Sequence, residues 1–174
     1  RQMCIRDRSG LDEKDLQAIS ETSKTIPVLR GANMSIGINL LQRLVTVALE
    51  TLGETFDVEL IEGYHNRKAD APSGTSRALL ETVRQVRGPE GETVFGRGPD
   101  SQPRKRGDVA IHSIRGGTIV GEHEVVLAGE DEVMTINHRA FSRSLFAKGA
   151  IKAAEFLQGK PPALYTMADV VAGH

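Results

Sequence analysis

Between positions 62 and 75 the chain reads Glu62-Gly63-Tyr64-His65-Asn66-Arg67-Lys68-Ala69-Asp70-Ala71-Pro72-Ser73-Gly74-Thr75. An imidazole at His65 and an ammonium at Lys68 stand three residues apart, ahead of a proline-stopped turn and a Ser-Gly-Thr that opens a helix. Leu79, Leu80, Val83 and Val86 recur behind it at helical spacing, which places Ser73, Gly74 and Thr75 in the first turn. A helix N-terminus carries about half a positive charge and unpaired N–H donors, and Gly74 lets a ligand reach the backbone with no Cβ in the way. Pro72 fixes its own φ and disfavours helix at Ala71, so a rigid extended segment holds Lys68 at a set distance from the cap. Taken singly, such residues are more often plain caps or solvated side chains. Together they describe an active-site loop suited to a small dianion.

The surrounding pattern alternates helix and strand. Asp12 starts a short amphipathic helix through about Ser23, and Ile26 to Arg30 reads as a strand. Ser35 caps a long helix in which Ile36, Leu40, Leu41, Leu44, Val47 and Ala48 form one apolar stripe, taken as core, ending near Gly53. Phe56 to Ile61 is the strand that delivers the loop. Residues 88–107 read as an extended surface loop with Arg97, Arg104, Lys105 and Arg106 mostly solvated. Residues 108–115, 118–128 and 131–139 alternate apolar and polar character between glycine turns, which predicts an antiparallel meander. Ser142 caps a last helix whose inward face is Phe146, Ala150, Ala153 and Leu157, stopped by Gly159 and Pro161-Pro162.

Composition narrows the class. With 174 residues, 39% of them hydrophobic, the chain can bury a core, and a formal net charge of −1 argues against a general affinity for nucleic acid or an anionic membrane. Neither partner is expected. The single cysteine, Cys4, excludes an internal disulfide framework and a cysteine zinc cage, and the five histidines lack the i, i+4 spacing of a helical metal pair. No metal is expected. No apolar run approaches the roughly 18–20 residues that span a bilayer. No G-x-G-x-x-G dinucleotide fingerprint precedes residue 31, and Gly96-Arg97-Gly98 has no apolar strand leading into it.

The run from Glu62 to Thr75 closely resembles the signature of the 4-hydroxy-tetrahydrodipicolinate reductase (dihydrodipicolinate reductase) family, NAD(P)H-dependent enzymes of diaminopimelate and lysine biosynthesis. Upstream, Gly31 to Asn39 is similar to the family segment that passes the nicotinamide; downstream, Ile114 to His123 and Asn137 to Arg143 resemble family segments in the same order. The resemblance implies reduction of a cyclic dicarboxylate to tetrahydrodipicolinate with NADPH or NADH, in the cytoplasm, by a homotetramer when full length. Lys68 falls on the proton-donating lysine, His65 on the substrate-binding histidine, and Gly74 and Thr75, beside Ser73, on the pair that binds a substrate carboxylate. Gly31, Ala32, Asn33 and Met34 fall on the cofactor-contacting segment, where the family usually has Ala-Pro-Asn-Phe, and Arg143 on an arginine near the cofactor. Tyr64 replaces the first of two adjacent family histidines. A phenol, with a pKa of about 10 against about 6.5 for imidazole, is a poor base at neutral pH, so Tyr64 lines the site and proton donation falls mainly to Lys68.

The expected fold class is α/β with an α+β substrate domain: a mixed, roughly four-stranded sheet with flanking helices, plus remnants of a doubly wound dinucleotide-binding domain. Residues 1–8 read as a non-family leader and 9–34 as the C-terminal remnant of the dinucleotide-binding domain. Residues 35–143 read as the substrate-binding and oligomerisation domain, and 144–174 as a helix and tail returning to the first domain. Without the missing half the chain is expected to be inactive alone. Two other classes fit less of the pattern: a silent anion-binding or assembly module, which needs no lysine and histidine on one loop, and a related oxidoreductase for another small dicarboxylate.

Overall fold

The computed structural model describes residues 3–6 and 11–173; Arg1, Gln2, positions 7–10 and His174 lie outside the described residues. In chain order the elements are β1 (Met3–Arg6), α1 (Glu13–Ser23), β2 (Pro27–Gly31), α2 (Ile36–Leu52), β3 (Asp57–Tyr64), α3 (Gly74–Arg87), β4 (Thr93–Phe95), β5 (Val109–Arg115), β6 (Gly121–Ala128), β7 (Val133–Ala140), α4 (Ser144–Phe156), β8 (Ala163–Tyr165) and α5 (Met167–Ala172). They form two compact units, one running to Leu40 and resuming at Arg143, the other spanning Leu41–Ser142.

The first unit is built on a parallel sheet of order β1-β2-β8. Val28 and Leu29 of β2 are fully buried, and Leu29, Met34, Ala153, Leu157 and Met167 close into one core. Asp12 and Asp15 cap α1 reciprocally, each accepting from the other's backbone N–H. Ser35 caps α2 through Ile38 N–H at 3.2 Å. Met3–Arg6, set aside above as leader, instead forms a strand in register with Val28 to Gly31. Backbone pairing of this kind depends little on side-chain identity. At the start of α4 the cap is Arg143 rather than Ser142, and Arg143 makes no side-chain cap bond. The stretch past Pro162, read only as tail, supplies both β8 and α5.

The second unit carries five strands, in the order β4-β5-β3-β6-β7, where the sequence suggested about four. The sheet is mixed as expected, but β5, β6 and β7 are not a meander. β3 lies between β5 and β6, parallel to the first and antiparallel to the second. Hydrophobicity explains the insertion: Val58 and Leu60 are buried to 1% exposure or less, and a central position satisfies both edges of the strand that carries them. Only β6 and β7 form the expected hairpin.

Two further expectations change. The α2 face that is buried is Ile38, Leu41, Val45 and Leu49, whereas Ile36, Leu40, Leu44 and Val47 are 37%, 42%, 45% and 53% exposed. This helix offers two apolar stripes at 3–4 spacing, and periodicity alone does not choose between them. In the segment 88–107, residues 93–95 pair with β5, and Arg104 is pinned rather than solvated, ion-paired to Glu59 and, at 2.8 Å, to Asp57. Arg97 reaches the same Glu59 at 3.2 Å, and His112 its other oxygen at 2.6 Å. Among the described residues no helix is long and apolar enough to cross a membrane.

One contact in the first unit is close enough to test. A Cβ built on Gly149 of α4 falls 1.7 Å from the Met34 carbonyl oxygen, so the helix packs there only through the absence of a side chain. We expect Gly149→Ala to destabilise the chain by about 3 kcal/mol in urea unfolding; a change below about 0.5 kcal/mol would mean that the helix sits farther out.

Candidate functional site

Strand register assembles the site. Across the second sheet Ser113, Glu62, His123 and His138 stand abreast on β5, β3, β6 and β7. Val58 and Leu60 precede Glu62 on the same face of β3, so the strand's own alternation aims Glu62 inward. Tyr64, one step further, pairs with Arg115 on β5, and its ring lies against Gly121 of β6, where an added Cβ would sit 3.1 Å from the ring. β3 therefore runs three residues beyond the predicted Ile61 and carries Glu62, Gly63 and Tyr64 as sheet, not loop.

Glu62 is fully buried and joins the sheet to the loop and helix beyond it. Its Oε2 accepts from Ser73 N–H at 2.9 Å and Ser76 Oγ at 2.6 Å; its Oε1 accepts from Ser113 Oγ at 2.8 Å and the Arg115 guanidinium at 2.7 Å. Burial alone would raise this carboxyl, but the hydrogen bonds from Ser73, Ser76 and Arg115 outweigh it and hold the pKa at about 2, down from 4.5. Arg115 also donates to the Asp70 carbonyl at 2.7 Å, tying the signature loop to the same carboxylate. Ser73 caps α3 as predicted, accepting Ser76 N–H at 3.1 Å.

Around this anchor lie Tyr64, Lys68 and His123. Lys68 Nζ is 2.6 and 2.7 Å from the two Asp70 oxygens and 4.8 Å above the Tyr64 ring, with the Arg115 guanidinium 5.6 Å from that ring. The hydrogen bond from Lys68 lowers the Asp70 carboxyl. Tyr64 Oη is 3.2 Å from His123 Nε2, and Ser73 Oγ is 3.4 Å from the same nitrogen. His123 is 4% exposed, and burial pushes its pKa down to about 4, with Glu62 opposing and His138 and Lys68 assisting. His65 is half-buried; its carbonyl accepts Lys68 N–H, and its Nδ1 is buried without a hydrogen-bond partner. Beyond its chain neighbours and its own helix backbone, nothing lies within 4 Å of where a Gly74 Cβ would stand, so the helix start is open to a ligand. Thr75 follows, half-buried.

The proposed cofactor segment belongs to the first unit. Gly31 ends β2, Ala32 is exposed and Asn33 is half-buried, its Oδ1 accepting Ser35 N–H at 2.9 Å. Met34 points into the core at 1% exposure, so only its backbone is available to a ligand. Arg143 is exposed. Among the described residues no three His, Cys, Asp or Glu side chains are grouped to hold a metal ion.

Sequence reasoning gave no role to Glu62, Ser76, Ser113, Arg115, Gly121 or His123. For Glu62 and His123 a signal existed: each is a polar residue at the buried parity of a strand, after Leu60 and before Val125. Arg115, Ser113 and Gly121 join only through pairing between distant strands, which spacing does not encode.

A parallel three-stranded unit and a mixed five-stranded sheet with a charged row under a capped helix define an α/β protein of dihydrodipicolinate reductase architecture. The solved, dipicolinate-bound dihydrodipicolinate reductase of Paenisporosarcina sp. TG-14 superposes with a TM-score of 0.77 at 22% identity, over 95% of this chain and 62% of that one. Residues 37–171 match the family model for the C-terminus of dihydrodipicolinate reductase, and the chain belongs to that family. Among its relatives are the 4-hydroxy-tetrahydrodipicolinate reductases of Caldanaerobacter subterraneus subsp. tengcongensis, 50% identical, and of Clostridium novyi, 45% identical, each matched over 94% of this chain. The chain spans 64% of the length of either relative.

Acid unfolding reports on this polar row. Glu62 has a folded pKa below its unfolded value, so its stabilisation is complete above pH 4.5 and is lost as pH falls toward about 2. His123 is also depressed, and its stabilisation is lost as pH falls from 6.5 through about 4. Each is worth on the order of 3 kcal/mol. We expect stability from urea unfolding to drop in two overlapping windows, the upper one smaller in His123→Gln, where His138 still contributes, and the lower one smaller in Glu62→Gln, where Asp70 and Asp108 still contribute. An unaltered profile in either variant would place that group in solvent.

Proposed function

We propose that the whole protein is a 4-hydroxy-tetrahydrodipicolinate reductase, reducing a cyclic dicarboxylate to tetrahydrodipicolinate in lysine and diaminopimelate biosynthesis. The observation that carries this reading is the grouping, in one unit, of the Lys68 ammonium over the Tyr64 ring and an open helix start at Gly74, with the loop and the helix cap both held by one buried carboxylate, the loop through Arg115 and the cap directly. The solved relative of the same fold holds dipicolinate, a flat dianion. In this chain Gly74 and Thr75 at the start of α3, together with His65, bind the substrate carboxylates, whereas Ser73, expected to join them, is buried with its N–H given to Glu62 and its hydroxyl to Ser76 and serves as the cap. Lys68 exchanges Asp70 for the substrate and delivers the proton. Charge-assisted contacts of this kind align the acceptor, so that binding energy becomes effective concentration. Tyr64 contributes a hydrogen bond.

A nicotinamide cofactor, NADPH or NADH, supplies the hydride when bound. Gly31, Ala32, Asn33 and the Met34 backbone fit its nicotinamide half, because they follow the carboxyl end of a strand in a parallel sheet, where doubly wound folds bind ligands. Arg143 is assigned to the same cofactor on resemblance. On this reading the first unit is the C-terminal part of a dinucleotide-binding domain and the second the substrate and oligomerisation domain. Ile114 and Val133, exposed on the same face of the second sheet, give a homotetramer apolar side chains to cover. A biosynthetic role on small soluble metabolites places the protein in the cytoplasm.

Calorimetric titration with pyridine-2,6-dicarboxylate tests the reading, and saturable one-site binding to the full-length protein is expected. Absence of binding would remove the assigned function. Lys68→Ala is expected to lower kcat by about 100-fold or more while leaving the cofactor Kd within about twofold; loss of cofactor affinity with kcat intact would show that the lysine does other work.

A further inference from the structure

The Tyr64 hydroxyl has an imidazole beside it: His123, contributed by β6, reaches it from the neighbouring strand. Its Nε2 has two oxygens in range, Tyr64 Oη at 3.2 Å and Ser73 Oγ at 3.4 Å, whereas its Nδ1 is buried and meets no hydrogen-bond partner. In a neutral ring one nitrogen carries the proton and the other a lone pair. A buried N–H without an acceptor is the rarer and costlier defect, whereas an under-satisfied acceptor is better tolerated. Placing the proton on Nε2 gives the N–H two acceptors and leaves only the lone pair of Nδ1 unmet. Burial, which depresses the imidazole to about pH 4, keeps the ring neutral at physiological pH, so the choice of tautomer is a real one.

The serines are consistent with this choice. Ser76 donates its single proton to Glu62 at 2.6 Å, which leaves its oxygen to accept from Ser73 Oγ at 3.3 Å. Ser73 Oγ then has its donor committed and acceptor capacity left for His123. Hydrogen bonds thus run in one direction, from His123 through Ser73 and Ser76 to the ionised carboxylate.

Building on the function proposed above, we propose that His123 is a positioning residue: its Nε2–H donates to Tyr64 Oη, and this frees the tyrosine hydroxyl hydrogen to bond an anionic substrate oxygen. With the opposite tautomer Tyr64 would spend its only proton on His123 and present lone pairs to a dianion. His123 thereby does indirectly, through a phenol, what a histidine at position 64 would do by direct contact.

The tautomer is read by nitrogen-15 NMR of the unliganded chain near pH 7, with the His123 ring linked to its backbone assignment. An Nε2–H signature is expected, and Ser76→Ala, which cuts the serine chain to Glu62, is expected to introduce a measurable Nδ1–H population. A dominant Nδ1–H form in the wild type, or no response in Ser76→Ala, overturns the assignment. In a second arm Tyr64→Phe is expected to weaken pyridine-2,6-dicarboxylate binding about tenfold, the usual loss for a hydrogen bond to a charged partner. Unchanged affinity would show that the hydroxyl does not face the ligand. Because the first arm needs no ligand, failure of the wild type to bind sinks the reductase reading without touching the tautomer result.

Discussion

A single carboxylate, fully buried, sets the geometry of the second unit. Glu62 leaves β3 at a position the strand's alternation reserves for core, and a charge there is tolerable only when its lone pairs are occupied. Four donors from three places occupy them: the amide and hydroxyl at the start of α3, Ser113 across the parallel pair, and Arg115 two residues on. Two of the donors belong to the start of α3 and two to β5, and Arg115 also holds the Asp70 carbonyl, so the depth of the helix start, the register of β5 and the path of the loop are determined together. Removal of one partner is costly to the others in a low-dielectric interior. That is why the loop bearing Lys68 is held by the sheet rather than left as a surface excursion.

Arg115 extends this order outward. Through one guanidinium nitrogen it joins Glu62 to the Asp70 carbonyl, while its face approaches the Tyr64 ring. The signature loop therefore has a buried anchor at one end and a helix cap at the other, and Lys68 lies between them against Asp70 and the phenol. A lysine so placed has its ammonium held by short contacts before any ligand arrives, and less freedom remains to be lost on binding.

Much of this was legible in the sequence, and the boundary of legibility is physical. The Ser73 cap, the Ser35 and Asp12 caps, and the α3 stripe follow from local spacing and stand as read. The mixed sheet was foreseen, yet its order was not, because a parallel β3–β5 pair depends on which strand can bear burial on both edges. The α2 face was misassigned where two apolar stripes competed, and Arg104 was misread because its partners, Glu59 and Asp57, lie more than forty residues upstream on β3. At the site, residues on one loop were visible together. The row of Ser113, Glu62, His123 and His138 draws on four strands and exists only after folding, although the charge at the inward parity of β3 was a clue in plain view.

Gly121 shows how closely two distant positions are bound to each other. A phenol is longer than an imidazole, and the extra length at position 64 lies over the bare backbone of β6, where even a methyl group would crowd the ring. The volume of the two positions is thus shared: a bulkier residue on one strand demands an emptier one opposite. In this chain a smaller ring at 64 would take away the three nearest neighbours of a side chain at 121, whereas with the tyrosine in place such a side chain fits only if the ring gives way by a few tenths of an ångström.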